Sequence, residues 1–314
     1  MKELAYNFQI QAIDGREIKT YIWITNKQPK AVIHLIATGV EQILSYTKFA
    51  KRMNKQNIIV ICSSLKGFEK PDEISSKDPV FFNYFNGWKL IVEELKSVND
   101  YVKKTYKHLP LFLIAHALGS VFAKAYAIKY SETIDGLILS SFIEFNKLNL
   151  LVNNLWLFLI EISAGKKYPC TFKQNLFLKR FKRLMKKERN IENNEIFKKY
   201  LELMQDPLLT KVFSVCALRD VYKCMLFNNL TNNIKFIRQN LPILLLANNN
   251  SYTKPQMYAK MSENQLKTLL KNDCFAHYII FDNSKDKVFD EQINTDLEQN
   301  IMWFINKYSK KFDW

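Results

Sequence analysis

Glycine is scarce in this chain, at 7 of 314 residues. None of the seven falls in a G-x-G-x-x-G or G-x-x-x-x-G-K pattern, so a phosphate cradle of either kind is excluded. Paired cysteines are missing too. The five cysteines, at 62, 170, 216, 224 and 274, form no C-x-x-C, and an odd count argues against a disulfide framework and for a reducing compartment. With no H-x-x-x-H and no clustered aspartates, neither a metal site nor any other cofactor is expected. The amino terminus, MKELAYNFQIQAIDGREIK, lacks the apolar core of a signal peptide. The longest apolar candidate, LNLLVNNLWLFLIEIS (148–163), carries three asparagines and a glutamate and is shorter than a membrane span. The expectation is a soluble, cytoplasmic protein that touches membranes, if at all, peripherally at their inner surface. Acidic residues are also in deficit. Thirty Asp and Glu against 46 Lys and Arg leave a net charge of +16, which suits phospholipid surfaces, nucleic acid or acidic small molecules. Few glycines beside many Lys and Asn point to AT-rich coding, so part of that charge is compositional.

What is present is a core-forming chain. An apolar share of 48% with 14% aromatics excludes disorder, and the length fits one large α/β domain or two small ones. Two alternating runs within 5–24, split by Asp14-Gly15, read as a hairpin. AVIHLIA (31–37), NIIVICS (57–63), LFLIA (111–115), GLILSSF (136–142) and LPILLLA (241–247) read as buried strands. Amphipathic stretches at 45–55, 84–107 and 117–130 separate the first four, the pattern of a parallel sheet with crossover helices. From 143 to 236 the strand signal disappears into long, Lys-rich helical patterns. After 247 a helix around 254–265, a short apolar run LKTLL (266–270) and a final helix over 286–308 complete the sheet region. The expected organisation is one discontinuous α/β core, 1–142 and 237–314, with a helical cap over 143–236 inserted after the sixth strand.

LFLIAHALGS (111–120) is a strand running through a small-residue turn into a helix. Such a turn, in the form G-x-S-x-G, exposes a nucleophilic serine at the edge of a sheet and aims a helix amino terminus at a developing oxyanion. Here the serine position is Ala117. A second stretch, ATGVEQILSYTKFA (37–50), resembles the H-G-x-x-E-H-x-x-R-Y-x-x-F-A signature of the monoacylglycerol lipase and bacterial lysophospholipase branch of the α/β hydrolases, with Glu41, Tyr46, Phe49 and Ala50 in register. NIIVICSSLKGF is similar to that family's strand and D-x-R-G-H-G loop through Lys66 and Gly67. LPILLLANNNS resembles the strand that delivers the triad acid, and CFAHYIIFD resembles R-H-E-x-L-N-E.

The resemblance implies an α/β-hydrolase fold with a cap and a carboxylic ester hydrolase of the lysophospholipase, lipase or esterase type, acting in lipid metabolism. It implies oxyanion-hole amides at Gly39 and Leu118 and a base at His277, with Asp282 closing that motif. The triad acid falls at Ser251, beside Asn250, and Glu144 is an alternative acid at the end of the preceding strand. The departures are several: Ala117 for the serine, Ser251 for the acid, Ala37-Thr38 for His-Gly, and Ser64 for the aspartate of D-x-R-G-H-G. An alanine has no hydroxyl for a base to activate, so no acyl-enzyme can form at 117. Ser120, one helical turn on, and His116 are read as packing residues, and His34 and His108 have no metal-like partner in sequence.

Two readings follow. One is an ester hydrolase scaffold disarmed at Ala117, in which restoring the serine beside His277 would restore turnover. The other is a natural non-catalytic relative, a pseudoenzyme that binds an acyl lipid, another ester or a protein partner; the number of altered motif positions favours it. Within the insertion, KKYPCTFKQNLFLKRFKRLMKKERN (166–190) interleaves apolar residues with Lys179, Arg180, Lys182, Arg183, Lys186 and Lys187. That pattern fits a cap helix with a solvated face or a contact with an anionic membrane. No nucleic-acid module accompanies it, so nucleic acid is not expected as a partner.

Overall fold

A computed structural model describes residues 5–37, 43, 46–68, 78–140, 146–171, 212–248, 255–281 and 295–309. Its strands are β1 (Ala5–Gln11), β2 (Glu17–Trp23), β3 (Ala31–Ala37), β4 (Ile58–Ser64), β5 (Leu111–His116), β6 (Gly136–Ser140), β7 (Ile243–Asn248) and β8 (Ala276–Phe281). They form one sheet in the order β1-β2-β4-β3-β5-β6-β7-β8. β1 and β2 pair antiparallel, and β2 pairs antiparallel with β4. From β4 through β8 every neighbour is parallel. Gly15, with φ at 81°, supplies the left-handed residue of the β1–β2 turn.

The central strands read as unbroken apolar runs because both faces of the sheet are covered. In β3, Val32 and Ile36 belong to one core layer, and Ile33, Leu35 and Ala37 to the other. The first layer is closed by α2 (Gly87–Thr105) and α3 (Leu118–Tyr130), and the second by α1 (Thr47–Lys55) and, at the chain's end, the helix Thr295–Ser309. α2 buries Trp88, Ile91, Leu95, Val98 and Val102, the helical spacing visible in the sequence.

After β6 the described part of the insertion comprises α4 (Lys147–Ala164), α5 (Val215–Asn228) and the single turn α6 (Thr231–Ile234). α5 is tied into the core. Ala217, Val221, Cys224 and Met225 join the cluster formed by α2 and α3. Asp220 Oδ2 accepts the Gly87 N–H at the start of α2, at 2.9 Å. Val80 also bridges Phe213.

Beyond β7, LKTLL does not open a new element. It is the last turn of α7 (Pro255–Leu270), and the helix α8 (Thr295–Ser309) follows β8. Ser262, Gln265 and Leu269 all turn inward at helical spacing, so the apolar residues of LKTLL continue a helix face, while β8 is built from the β-branched and aromatic run AHYIIF.

Candidate active site

Ligands of an open parallel sheet bind beyond the carboxyl ends of its strands, where loops and helix amino termini converge. At the carboxyl end of β5 the chain makes a sharp turn. Ala117 has φ 47° and ψ −117°, a conformation that residues with a Cβ rarely adopt. Such backbone costs on the order of 1–3 kcal/mol and persists only when its surroundings over-determine it. Those surroundings are visible. The Ala117 N–H donates to the Ser140 carbonyl at the end of β6, at 3.0 Å, and the Ala117 carbonyl accepts the Ser120 N–H at 3.0 Å. Ser120 Oγ lies 3.0 Å from both the Ala115 and Ser140 carbonyl oxygens. α3 lies against β3 here: a Cβ at Gly119 would meet Ile36 Cγ2 at 3.4 Å, an ordinary van der Waals contact.

Ser120 is therefore a buckle across the turn. Its side chain is wholly buried, so it offers no nucleophile. Ala117 and Leu118 remain partly exposed. Leu118 opens α3, and its amide is among the first-turn N–H groups that have no partner inside the helix. This is the geometry of an oxyanion donor at a helix amino terminus, presented beside a methyl group. Ser140, whose carbonyl receives two of these bonds, carries no sequence signal beyond its place at a strand end.

His116 sits in the turn with Nδ1 3.3 Å from Ser140 Oγ. Burial lowers its pKa to about 4, so at neutral pH it is an uncharged packing residue. His34 is also neutral, with Nδ1 2.7 Å from Asn99 Oδ1 and Nε2 2.7 Å from Ser63 Oγ. Its burial likewise brings the pKa to about 4.

His277 is not brought to this turn. It is the second residue of β8, and register places it level with Leu244, Ile138 and Ile114 in successive strands. It thus stands three strands from β5, roughly 14 Å across the sheet, and, level with Ile114, three residues short of Ala117, roughly 10 Å along it. Its Nε2 meets Tyr308 Oη at 2.5 Å, and its ring packs among Trp303, Phe304 and Phe275. Partial burial and then the charge of Lys307 hold its pKa below the usual value. The expected pairing of position 117 with His277 is not one that the structure makes. The similarity of CFAHYIIF to the histidine motif is a similarity of strand composition, and register decides against it. β8 ends at Phe281, and residues 282–294, which lie outside the described residues, contain no histidine.

Lys66 faces elsewhere as well, with Nζ paired to Asp14 Oδ2 in the β1–β2 turn at 2.5 Å. Ser64 ends β4 and is buried. Gly39, Ser251, Asn250, Glu144 and the basic run from Lys179 through Arg180, Lys182, Arg183 and Lys186 to Lys187 lie outside the described residues. Among the described residues no group of His, Cys, Asp and Glu could hold a metal ion, and no helix is long and apolar enough to cross a membrane.

The sheet order, the inserted helices and the strained turn between β5 and α3 define an α/β hydrolase. The chain belongs to the serine aminopeptidase S33 family, whose model matches residues 27–283. Among solved structures, a thermostable carboxyl esterase from Bacillus coagulans in complex with glycerol is similar at 16% identity and a TM-score of 0.73, over 97% of this chain and 99% of that one. A soluble variant of monoglyceride lipase from Saccharomyces cerevisiae, in complex with a substrate analog, is similar at 13% identity and a TM-score of 0.61, over 99% and 94%. No curated protein matches the chain by sequence.

Proposed function

We propose that this chain is a non-hydrolytic member of its family: a carboxylic ester hydrolase scaffold, of the lysophospholipase and monoacylglycerol lipase type, that binds an acyl lipid or ester without cleaving it. The backbone of Ala117 carries the reading. A turn held at φ 47° and ψ −117° keeps the aim of a nucleophile elbow, and a methyl group stands where the reacting oxygen would be. Enzymatic ester cleavage on this scaffold needs a nucleophile, a base for its proton and donors for the oxyanion. Only the donors have support here, from the Leu118 amide. The ligand class rests on family resemblance and on the two similar structures, one described with glycerol and one with a substrate analog.

The test is hydrolysis of p-nitrophenyl butyrate and of monoacylglycerols, with fluorophosphonate labelling. The chain as it stands is expected to match buffer. Ala117→Ser is expected to stay within about tenfold of that background, because a hydroxyl without a base is a poor nucleophile at neutral pH. A fluorescent monoacylglycerol analogue should bind the unaltered chain and lose affinity in Ala117→Phe, which puts a bulky ring where the turn presents a methyl group. A hundredfold gain in Ala117→Ser, with label on residue 117, would overturn the reading in favour of an enzyme disarmed at one position.

A further inference from the structure

Helices on a protein surface bury one apolar stripe and turn polar residues outward. α4 does the first and not the second. Leu150 joins the main core cluster, Leu157 is buried with Cys170 and Val215, and Asn154 and Glu161 on the same side meet Arg219. On the opposite side, Leu148, Val152, Leu155, Leu159 and Ile162 follow one another at spacings of three and four and are each 57 to 67% exposed. Trp156 flanks them at 43%. No charged residue occurs between Lys147 and Glu161, so this face is apolar over nearly four turns.

The rim of the face is of a different kind. Lys147 opens the helix and Lys166 and Lys167 follow its end. Lys166 Nζ donates to the Tyr84 carbonyl at 2.8 Å and lies 3.5 Å from the Phe85 ring centroid. Lys167 Nζ lies 5.4 Å from the centroid of Tyr84. Tyr84, Phe85 and Tyr168 are themselves exposed, at 46 to 74%. Aliphatic residues bounded by tyrosines and lysines match the layers of a bilayer surface, where acyl chains meet aliphatic groups and headgroups meet amphipathic ones.

We infer that the exposed face of α4 inserts into the surface of an anionic phospholipid bilayer, with Lys147, Lys166 and Lys167 at headgroup level. Charge selects the occupant. A second copy would bring another net charge of +16 against the first, whereas an anionic leaflet complements both the rim and the whole chain. The inference does not depend on what binds beside Ala117.

The test uses the full chain with vesicles of phosphatidylcholine containing 30% phosphatidylglycerol, compared with phosphatidylcholine alone. Sedimentation is expected to show at least tenfold stronger partitioning to the anionic vesicles. Tryptophan emission should be quenched by lipids brominated in their acyl chains, and most of that quench should vanish in Trp156→Phe. The triple variant Val152→Asp, Leu155→Asp, Leu159→Asp should lose at least tenfold in partitioning while keeping its thermal midpoint. Equal binding to the neutral vesicles, or partitioning unaffected by the triple variant, would overturn the inference. So would a lowered thermal midpoint, which would mean that the chain covers this face itself. A dimer in light scattering that the triple variant dissolves would assign the face to a second copy instead.

Discussion

The carboxyl end of β5 and the body of β8 lie in one sheet and have kept opposite halves of a catalytic arrangement. At β5 the backbone supplies the strained turn, the Ser120 buckle and the helix amino terminus. Among the described residues no reactive side chain stands there. At β8 an imidazole is present, and its position is wrong, within the strand and hydrogen-bonded to Tyr308. Backbone devices at the turn are built from the same contacts that pack α3 on β3 and β5, so the fold retains them for its own stability. A catalytic side chain has no such second duty, and each must be held separately.

The largest expected effect that separates the central strands from β8 is in acid. His34, in the central strands, is uncharged in the fold with a pKa of about 4, against 6.5 ordinarily. Between those values the unfolded chain binds the proton that the fold refuses, so stability is complete above pH 6.5 and falls as the pH drops towards 4. A shift of that size in a fully buried group corresponds to an upper bound of ~3 kcal/mol, and His116 adds in the same direction. Urea titrations from pH 7.5 to 4.5 should show this decline, reduced in His34→Gln. His277→Gln should change it much less, since that ring is partly solvated. An equal response at His277 would erase the distinction between the core and the edge of the sheet.

Next in size is Ser120→Ala, which takes the donor from two buried carbonyl oxygens and should cost ~1–3 kcal/mol in urea unfolding. A cost below about 0.5 kcal/mol, the level of ordinary surface substitutions, would show that the turn does not need its buckle. The smallest effect has the opposite sign. Ala117→Gly should raise stability by up to ~1 kcal/mol, because glycine tolerates φ 47° without a Cβ penalty. Destabilisation there would mean that the methyl group packs to more advantage than its backbone costs.

Much of this was legible in the sequence. The buried runs AVIHLIA, LFLIA and LPILLLA announced β3, β5 and β7, and HALG announced the turn, because strand length and small residues leave few alternatives. LKTLL and HYIIF were harder. Both are short and apolar, and only tertiary context decides that one closes a helix and the other forms an edge strand. The placement of His277 failed for a related reason: a motif of few fixed letters does not fix register, and a shift of a few residues carries a side chain from one end of a sheet to its middle. The bare side of α4 was written in LNLLVNNLWLFLIEIS, although composition alone suggested a long apolar run rather than one with half its girth uncovered.

The five cysteines, at 62, 170, 216, 224 and 274, are all outside disulfides and all buried. Thiol reagents in solution therefore find little on this protein to modify. Position 117, partly exposed and aimed outward by its own backbone, is a natural mount on which a single introduced cysteine would carry a spectroscopic label at the mouth of the site.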